Sequence, residues 1–275
     1  MSRIRFILVV ALFVIIPNSS WSAVIFSDNF DSQPTNCYVG GTEPTGWAWR
    51  RQDAYSATFG GVTHYAGEIS SVGRNGSGKS LKMWRHSTFV EGYCGSLDKT
   101  FTGTYHDIYI RYYMKIPTTM DFTAYCDYLK LWRFNFGSAE QYFGIRGNRA
   151  NAWIDLYNSS SGHVEVMNHT QTLTLWDGNW HCVEVHINNT ANPGTAQVWL
   201  DGVATYSSTS HAFEGTGALT YLQHFSMGNH ASGVNWQSSW QAMEIDDFVL
   251  STTYVGPDAT ATMQGCSLSG GGGVR

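Results

Sequence analysis

From position 24 onward, apolar residues recur mainly at every second position, in short runs divided by clusters of Gly, Asn, Asp and Ser. That is the period a half-buried β-strand imposes. The clearest run spans residues 108–116, where Ile108, Ile110, Tyr112, Met114 and Ile116 form one face and Tyr109, Arg111, Tyr113 and Lys115 the other. After a polar turn, residues 128–136 (YLKLWRFNF) set Leu129 and Leu131 against Tyr128, Lys130 and Trp132. The alternation is lost at Arg133, where a bulge is expected. These two runs predict strands in a sheet whose open face carries aromatic rings and positive charge.

The other runs extend the same pattern. A first strand is expected over 24–30. SLKMWRH sets Leu81 and Met83 against Lys82, Trp84 and His86, with Arg85 between them. QYFGIRG and NAWIDLYN follow, the latter with Ile154 and Leu156 inward and Trp153, Asp155 and Tyr157 outward. DGNWHCVEVHINN places Val183, Val185 and Ile187 on a core side, and AQVWLDGVAT puts Asp201-Gly202 where a tight hairpin turn belongs. YLQHFSMGNH and AMEIDDFVLSTTYVGP complete the series. Almost no apolar repeat has helical spacing, so the expected fold is all-β, a two-sheet antiparallel β-sandwich of jelly-roll type. With no fixed-period repeat and no mid-chain linker, one domain over 23–257 is expected, followed by a small, polar, Gly-rich tail over 258–275.

Composition adds a compartment. Arg3 and Arg5 precede an apolar run over 6–16 and small residues at Ser20 and Ser22, which reads as a signal peptide over 1–22. No later segment is long enough to span a bilayer as a helix, so the expectation is a secreted, periplasmic or extracellular protein without a membrane span. Without Arg3 and Arg5 the 16 Lys and Arg become 14 against 21 Asp and Glu, a net charge of −7. An exported acidic protein is not expected to bind nucleic acid. Thirteen of those 14 cations lie between Arg50 and Arg149, and none lies between Ala150 and Val274. This asymmetry points to an anion site on the first-half strands.

The cysteines Cys37, Cys94, Cys126, Cys182 and Cys266 show no CxxC or Cys/His spacing of a zinc site. An oxidising compartment favours disulfides. With one cysteine left over, for which Cys266 in the tail is the candidate, the pairing of the rest stays open.

Three segments, IFSDNFD, DGNWHCVEVHIN with AQVWLDG, and MEIDDFVLSTTYVG, resemble the concanavalin A-like lectin/glucanase superfamily, in particular its laminin-G-like and polysaccharide-lyase-like jelly rolls. The resemblance covers 24–256. It implies two curved antiparallel sheets with a polysaccharide in the groove of the concave one. A glycan face needs aromatic planes for sugar C–H groups and polar groups for hydroxyls, with Arg or Lys added for acidic sugars. Lys82, Trp84, Arg85, Tyr109, Lys115, Trp132 and Arg146 are the candidate substrate-binding residues.

Within this superfamily the chain lacks the E-x-D-x-x-E hydrolase signature, since Glu244 and Asp246 are followed by Val249. Uronate-polymer cleavage by β-elimination instead needs a cation to neutralise the sugar carboxylate, a base for the C5 proton and an acid for the leaving oxygen. Arg111, Tyr113, Lys130, His86 and Tyr142 are the candidate catalytic residues, with His224 a further candidate base, although neither R-x-E-x-R nor Q-I-H of the alginate lyases is present. If the protein is an enzyme, polysaccharide lyase is the expected class; the alternatives are a non-catalytic lectin or adhesion module and, behind these, a glycoside hydrolase. No catalytic cofactor is expected. Asp28, Asp31 and Asp247, brought together if the terminal strands pair, are candidate ligands of a structural calcium.

Overall fold

The computed structural model describes residues 24–35, 44–50, 56–59, 62–65, 67–85, 96–120, 126–137, 139–147, 150–225 and 241–258. The strands of the first half are β1 (Val24–Asp28), β2 (Ala48–Arg50), β3 (Ser56–Phe59), β4 (Val62–Tyr65), β5 (Gly67–Ser70), β6 (Ser80–Arg85), β7 (Ser96–Thr100), β8 (Asp107–Lys115) and β9 (Cys126–Phe136). Then follow β10 (Ala139–Gly147), β11 (Trp153–Asn158), β12 (Gly162–Met167), a short helix α1 (His169–Leu175), β13 (Trp180–Asn188), β14 (Gly194–Leu200), β15 (Val203–His211), β16 (Tyr221–Phe225) and β17 (Gln241–Ser251). The expected signal peptide, His86 and the tail beyond Asp258 lie outside the described residues.

The strands form two antiparallel sheets and a separate β3–β4 hairpin. One sheet runs β15-β14-β13-β8-β17-β6-β5 with β1 also paired to β17, and the other runs β12-β11-β10-β9-β16-β7-β2. The predicted all-β sandwich is the observed fold. Its core lies between the sheets and is filled by the alternate residues the pattern marked: Ile108, Ile110, Tyr112, Met114 and Ile116 of the β8 run, and Val183, Val185 and Ile187 of β13. Asp201 and Gly202, both with positive φ, close the β14–β15 hairpin as expected.

Two bulges decide which side chains reach the surface. In β9, Trp132 pairs with Phe143 but Lys130 pairs with Gly144, so Leu131 is an extra residue. Leu131 and Trp132 both turn inward, and Lys130 and Arg133 both turn outward. In β17 the register shifts between Asp246 and Val249, with Asp247 at φ 46°. That shift drives Phe248 into the core, where its ring centre lies 5.3 Å from Trp132 and 5.2 Å from Trp47.

Beyond β17 the chain turns back as a strap across the outer face of β8 and β13. The N–H groups of Val255 and Gly256 donate to the Glu184 carboxylate at 2.8 Å each, and Asp258 N–H donates to the Tyr113 hydroxyl at 2.8 Å. The Asp258 carboxylate meets Arg74 at 2.9 Å and Arg111 at 3.4 Å. Cys182 beneath this strap has a free thiol, pushed up to about 12 by burial. Cys266, the expected leftover cysteine, lies outside the described residues; Cys182 is a free thiol among the described ones.

Candidate functional site: the outer face of the β9–β12 sheet

The expected single aromatic-cationic face divides between two sheets. Tyr109, Arg111, Tyr113 and Lys115 of β8, with Lys82 and Trp84 of β6, belong to one sheet; Lys130, Tyr142 and Arg146 belong to the outer face of the other. Trp132, expected as a sugar platform, is a core residue at 1 % exposure, with ring centres of Tyr112 and His224 at 5.2 and 4.5 Å. The physical reason is the Leu131 bulge, which exchanges Trp132 for Arg133 on the outer face. His224 is likewise in the core. Its Nδ1 contacts the Leu131 carbonyl at 2.7 Å, and burial lowers its pKa to about 3, so it is a neutral core ring rather than a base facing substrate.

The β8 face is occupied by the protein itself. Arg111 is 6 % exposed beneath the strap, and Arg74 stacks on the Tyr113 ring at 3.7 Å while binding Asp247 and Asp258. Burial first, with contributions from Cys182 and Asp258, pushes Tyr113 up to about 12. Tyr109 stacks on His186 with ring centres 4.0 Å apart, Lys115 lies 3.6 Å from Glu244, and Lys82 lies 5.6 Å from the Trp84 ring. The side chain of Arg85 lies outside the described residues.

On the second sheet, a row of outward side chains crosses six neighbouring strands: His163, Tyr157, Tyr142, Arg133, Gln223 and Asp98 stand directly opposite one another in turn. At the inter-strand spacing of a sheet such a row is about 24 Å long. Aromatic contact is continuous at one end, with ring centres 4.3 Å apart for Tyr157 and His163 and 6.0 Å for Tyr142 and Tyr157. At the centre, Arg133 pairs with Glu140, to which the Tyr142 hydroxyl also donates, and reaches Gln223 at 3.5 Å and the Tyr221 ring at 5.3 Å.

Beside that row a second one carries Glu165, Asp155, Gly144 and Lys130. Gly144 leaves a step without a side chain between Asp155 and Lys130. The Lys130 amine lies 3.9 Å from the centre of the Tyr142 ring, at 9 % exposure, and burial first and Arg133 second lower its pKa to about 8. Asp155 is fully buried and holds His163 Nδ1 at 2.7 Å. Arg146 is cross-strand from Trp153, 5.7 Å from its ring. The alternation of NAWIDLYN marked Trp153, Asp155 and Tyr157 as outward. Arg133, Tyr221, Gln223 and His163 had no comparable signal, because a bulge and sheet order bring them into line.

Each of the expected calcium ligands is engaged by groups of the protein. Asp28 accepts from Phe30 N–H, Gln33 Nε2 and Trp47 Nε1 at 2.7 to 2.8 Å, Asp31 accepts from Lys79 N–H at 2.7 Å, and Asp247 pairs with Arg74 at 2.6 Å. Asp28 and Asp247 do border a cleft of about 410 Å³, but Arg111 lines it with them. Among the described residues no group of three His, Cys, Asp or Glu side chains stands together as a metal set. Residues 73–80, GRNGSGKS, have the spacing of a phosphate-binding loop, but they join antiparallel strands rather than a strand and a helix, and the Lys79 amine donates to the Gln33 carbonyl.

Comparison with solved structures agrees with this architecture. Cellulose induced protein, Cip1, superposes with a TM-score of 0.53 at 15 % identity, over 82 % of this chain and 100 % of that one. Endo-β-1,4-glucuronan lyase of the fungus Trichoderma reesei gives 0.52 at 13 % identity over 84 % and 96 %. An alginate lyase mutant in complex with alginate trisaccharide gives 0.58 at 11 % identity over 84 % and 99 %. The chain shares the two-sheet jelly-roll fold of these proteins. No family model and no curated protein sequence matches this jelly roll. Among its described residues no helix is long and apolar enough to cross a membrane.

Proposed function

We propose that this jelly roll is an exported polysaccharide-binding protein that holds an acidic glycan across the Lys130–Arg133 face and cleaves it by β-elimination. The observation that carries this reading is the placement of Lys130, Arg133 and Tyr142 in one cluster: a lysine with a lowered pKa, a fixed guanidinium and a phenol. That set matches the three needs of uronate elimination. Glucuronan and alginate lyases built on the same fold support it.

In this reading Arg133 pairs with the sugar carboxylate and stabilises the negative charge that develops when C5 loses its proton. Lys130 takes that proton. With a pKa near 8, about a tenth of the amine is neutral at pH 7 and able to act as base. The C4–O4 bond then breaks as the C4=C5 double bond forms, and Tyr142 gives its hydroxyl proton to the departing oxygen. The rings of Tyr157 and Tyr142 supply planes on which sugar C–H faces rest.

The rival reading is a non-catalytic lectin, favoured by one observation: Arg133 and the Tyr142 hydroxyl both engage Glu140, an arrangement that can serve rigidity alone. Incubation of the protein with alginate, pectate, glucuronan and heparin, following absorbance of the unsaturated product, separates the two. Product formed by the parent and lost in Lys130→Met supports the lyase. No product on the whole panel, alongside retention in gels containing the same glycans, leaves the lectin.

A further inference from the structure

We infer that the face takes a glycan whose uronates are separated from one another by neutral sugars, rather than an uninterrupted polyuronate; this rests on the acidic-glycan reading above and narrows it. The argument is a comparison of where charge stands along the row. At the centre, Lys130 in its protonated form, about nine tenths of it at pH 7, and Arg133 are opposed by Glu140, which leaves one net positive charge to draw in one carboxylate.

Away from the centre the chemistry changes. Toward β12 the row offers Tyr157 and His163 and, beside them, the exposed Glu165, with the buried Asp155 beneath His163. Toward β7 it offers the Tyr221 ring, with Gln223 and Asp98 buried beneath the surface. Rings and an imidazole suit hydroxyls and sugar C–H faces, whereas consecutive uronates would set carboxylates beside carboxylates.

Composition makes this a property of whole strands. β11, β12 and β16 fall in the span from Ala150 to Val274, which holds neither Lys nor Arg. Of the other cations whose side chains are described, all but Arg146 lie away from this face. Arg74 and Arg111 serve Asp258 beneath the strap, and the Lys99 amine lies over the Phe26 ring with the Gly46 carbonyl as acceptor. Arg146 is on this sheet, four residues along β10 from Tyr142 and two from Gly144, hence about 13 Å from the first row and about 7 Å from the second.

The test compares turnover of alginate, pectate and glucuronan with that of hyaluronan and deacylated gellan, whose uronates are separated by uncharged sugars. The expected result is kcat/KM at least about tenfold higher on the second group. In Glu165→Lys, which adds a cation at an exposed position of the edge strand β12, the ratio should move several-fold toward alginate. Equal or faster turnover of the uninterrupted polyuronates by the parent protein overturns the inference and leaves the lyase reading intact. If none of the five gives unsaturated product, the lyase reading falls, and retention in gels containing the same five glycans decides the inference. Stronger retardation by hyaluronan and gellan then supports it, and stronger retardation by the polyuronates overturns it.

Discussion

The Lys130 amine lies 3.9 Å from the centre of the Tyr142 ring, although strand periodicity assigned Lys130 a different neighbour, Trp132. Because burial and then Arg133 lower the Lys130 pKa to about 8, the base form accumulates as pH rises. The expected kcat/KM on a cleaved uronate glycan therefore climbs through about pH 8 and levels above it. Lys130→Arg keeps the charge without a usable base and should lose about a hundredfold or more of activity. A flat pH profile together with an active Lys130→Arg protein would sink the role given to this amine.

The strap and the glycan face are on opposite sheets, so their effects should separate. Glu184, 1 % exposed, receives the N–H groups of Val255 and Gly256. Glu184→Ala leaves both without that acceptor and is expected to cost about 2–4 kcal/mol, read from urea unfolding. Turnover by the folded fraction should stay at the parent value. Loss of activity without loss of stability would contradict the assignment of this face to the strap.

Trp132 and Tyr157 give the converse pair. Trp132→Ala removes a ring from the core between the sheets and is expected to lower stability by about 3–5 kcal/mol. Tyr157→Ala, on the outer face, should weaken glycan retention while shifting stability by under about 1 kcal/mol. Affinity electrophoresis beside thermal unfolding of the two variants checks this, and the opposite pattern would return Trp132 to the surface.

His181 predicts a pH dependence of stability. Burial opposes its charge, but Asp201 at 2.7 Å and Asp177 at 3.0 Å outweigh that and raise its pKa above 6.5. Its stabilisation is therefore complete below about pH 6.5 and is lost as pH rises through the folded-state pKa. Asp177 is moved the other way: burial favours its neutral form, yet Asn179 N–H, the Asn179 amide and His181 lower its pKa below 3.8. Its share is present above about pH 3.8 and is lost as pH falls through the folded value. The stability difference between the parent and His181→Asn should thus be largest near about pH 5 and shrink toward about pH 9. Thermal unfolding across that range would refute the pairing if the difference grew with pH.

What the chain's pattern determined alone was the sandwich: a period of two in most runs, the Asp201-Gly202 hairpin, and inward sets such as Ile108 to Ile116 and Val183 to Ile187 that form the core. It also made cation-free strands of everything from Ala150 to Val274. These are local properties, since alternation and turn chemistry act between neighbours in sequence. Which outward faces belong together was not local. Arg111 and Lys130 have similar surroundings in sequence, yet one strand joins the β13–β17 sheet and the other the β10–β16 sheet. One extra residue at Leu131 then turned Trp132 inward and Arg133 outward. Side-chain direction in a strand reverses with every inserted residue, so only long-range pairing could decide that Lys130, Arg133, Tyr142, Tyr157 and His163 share one face.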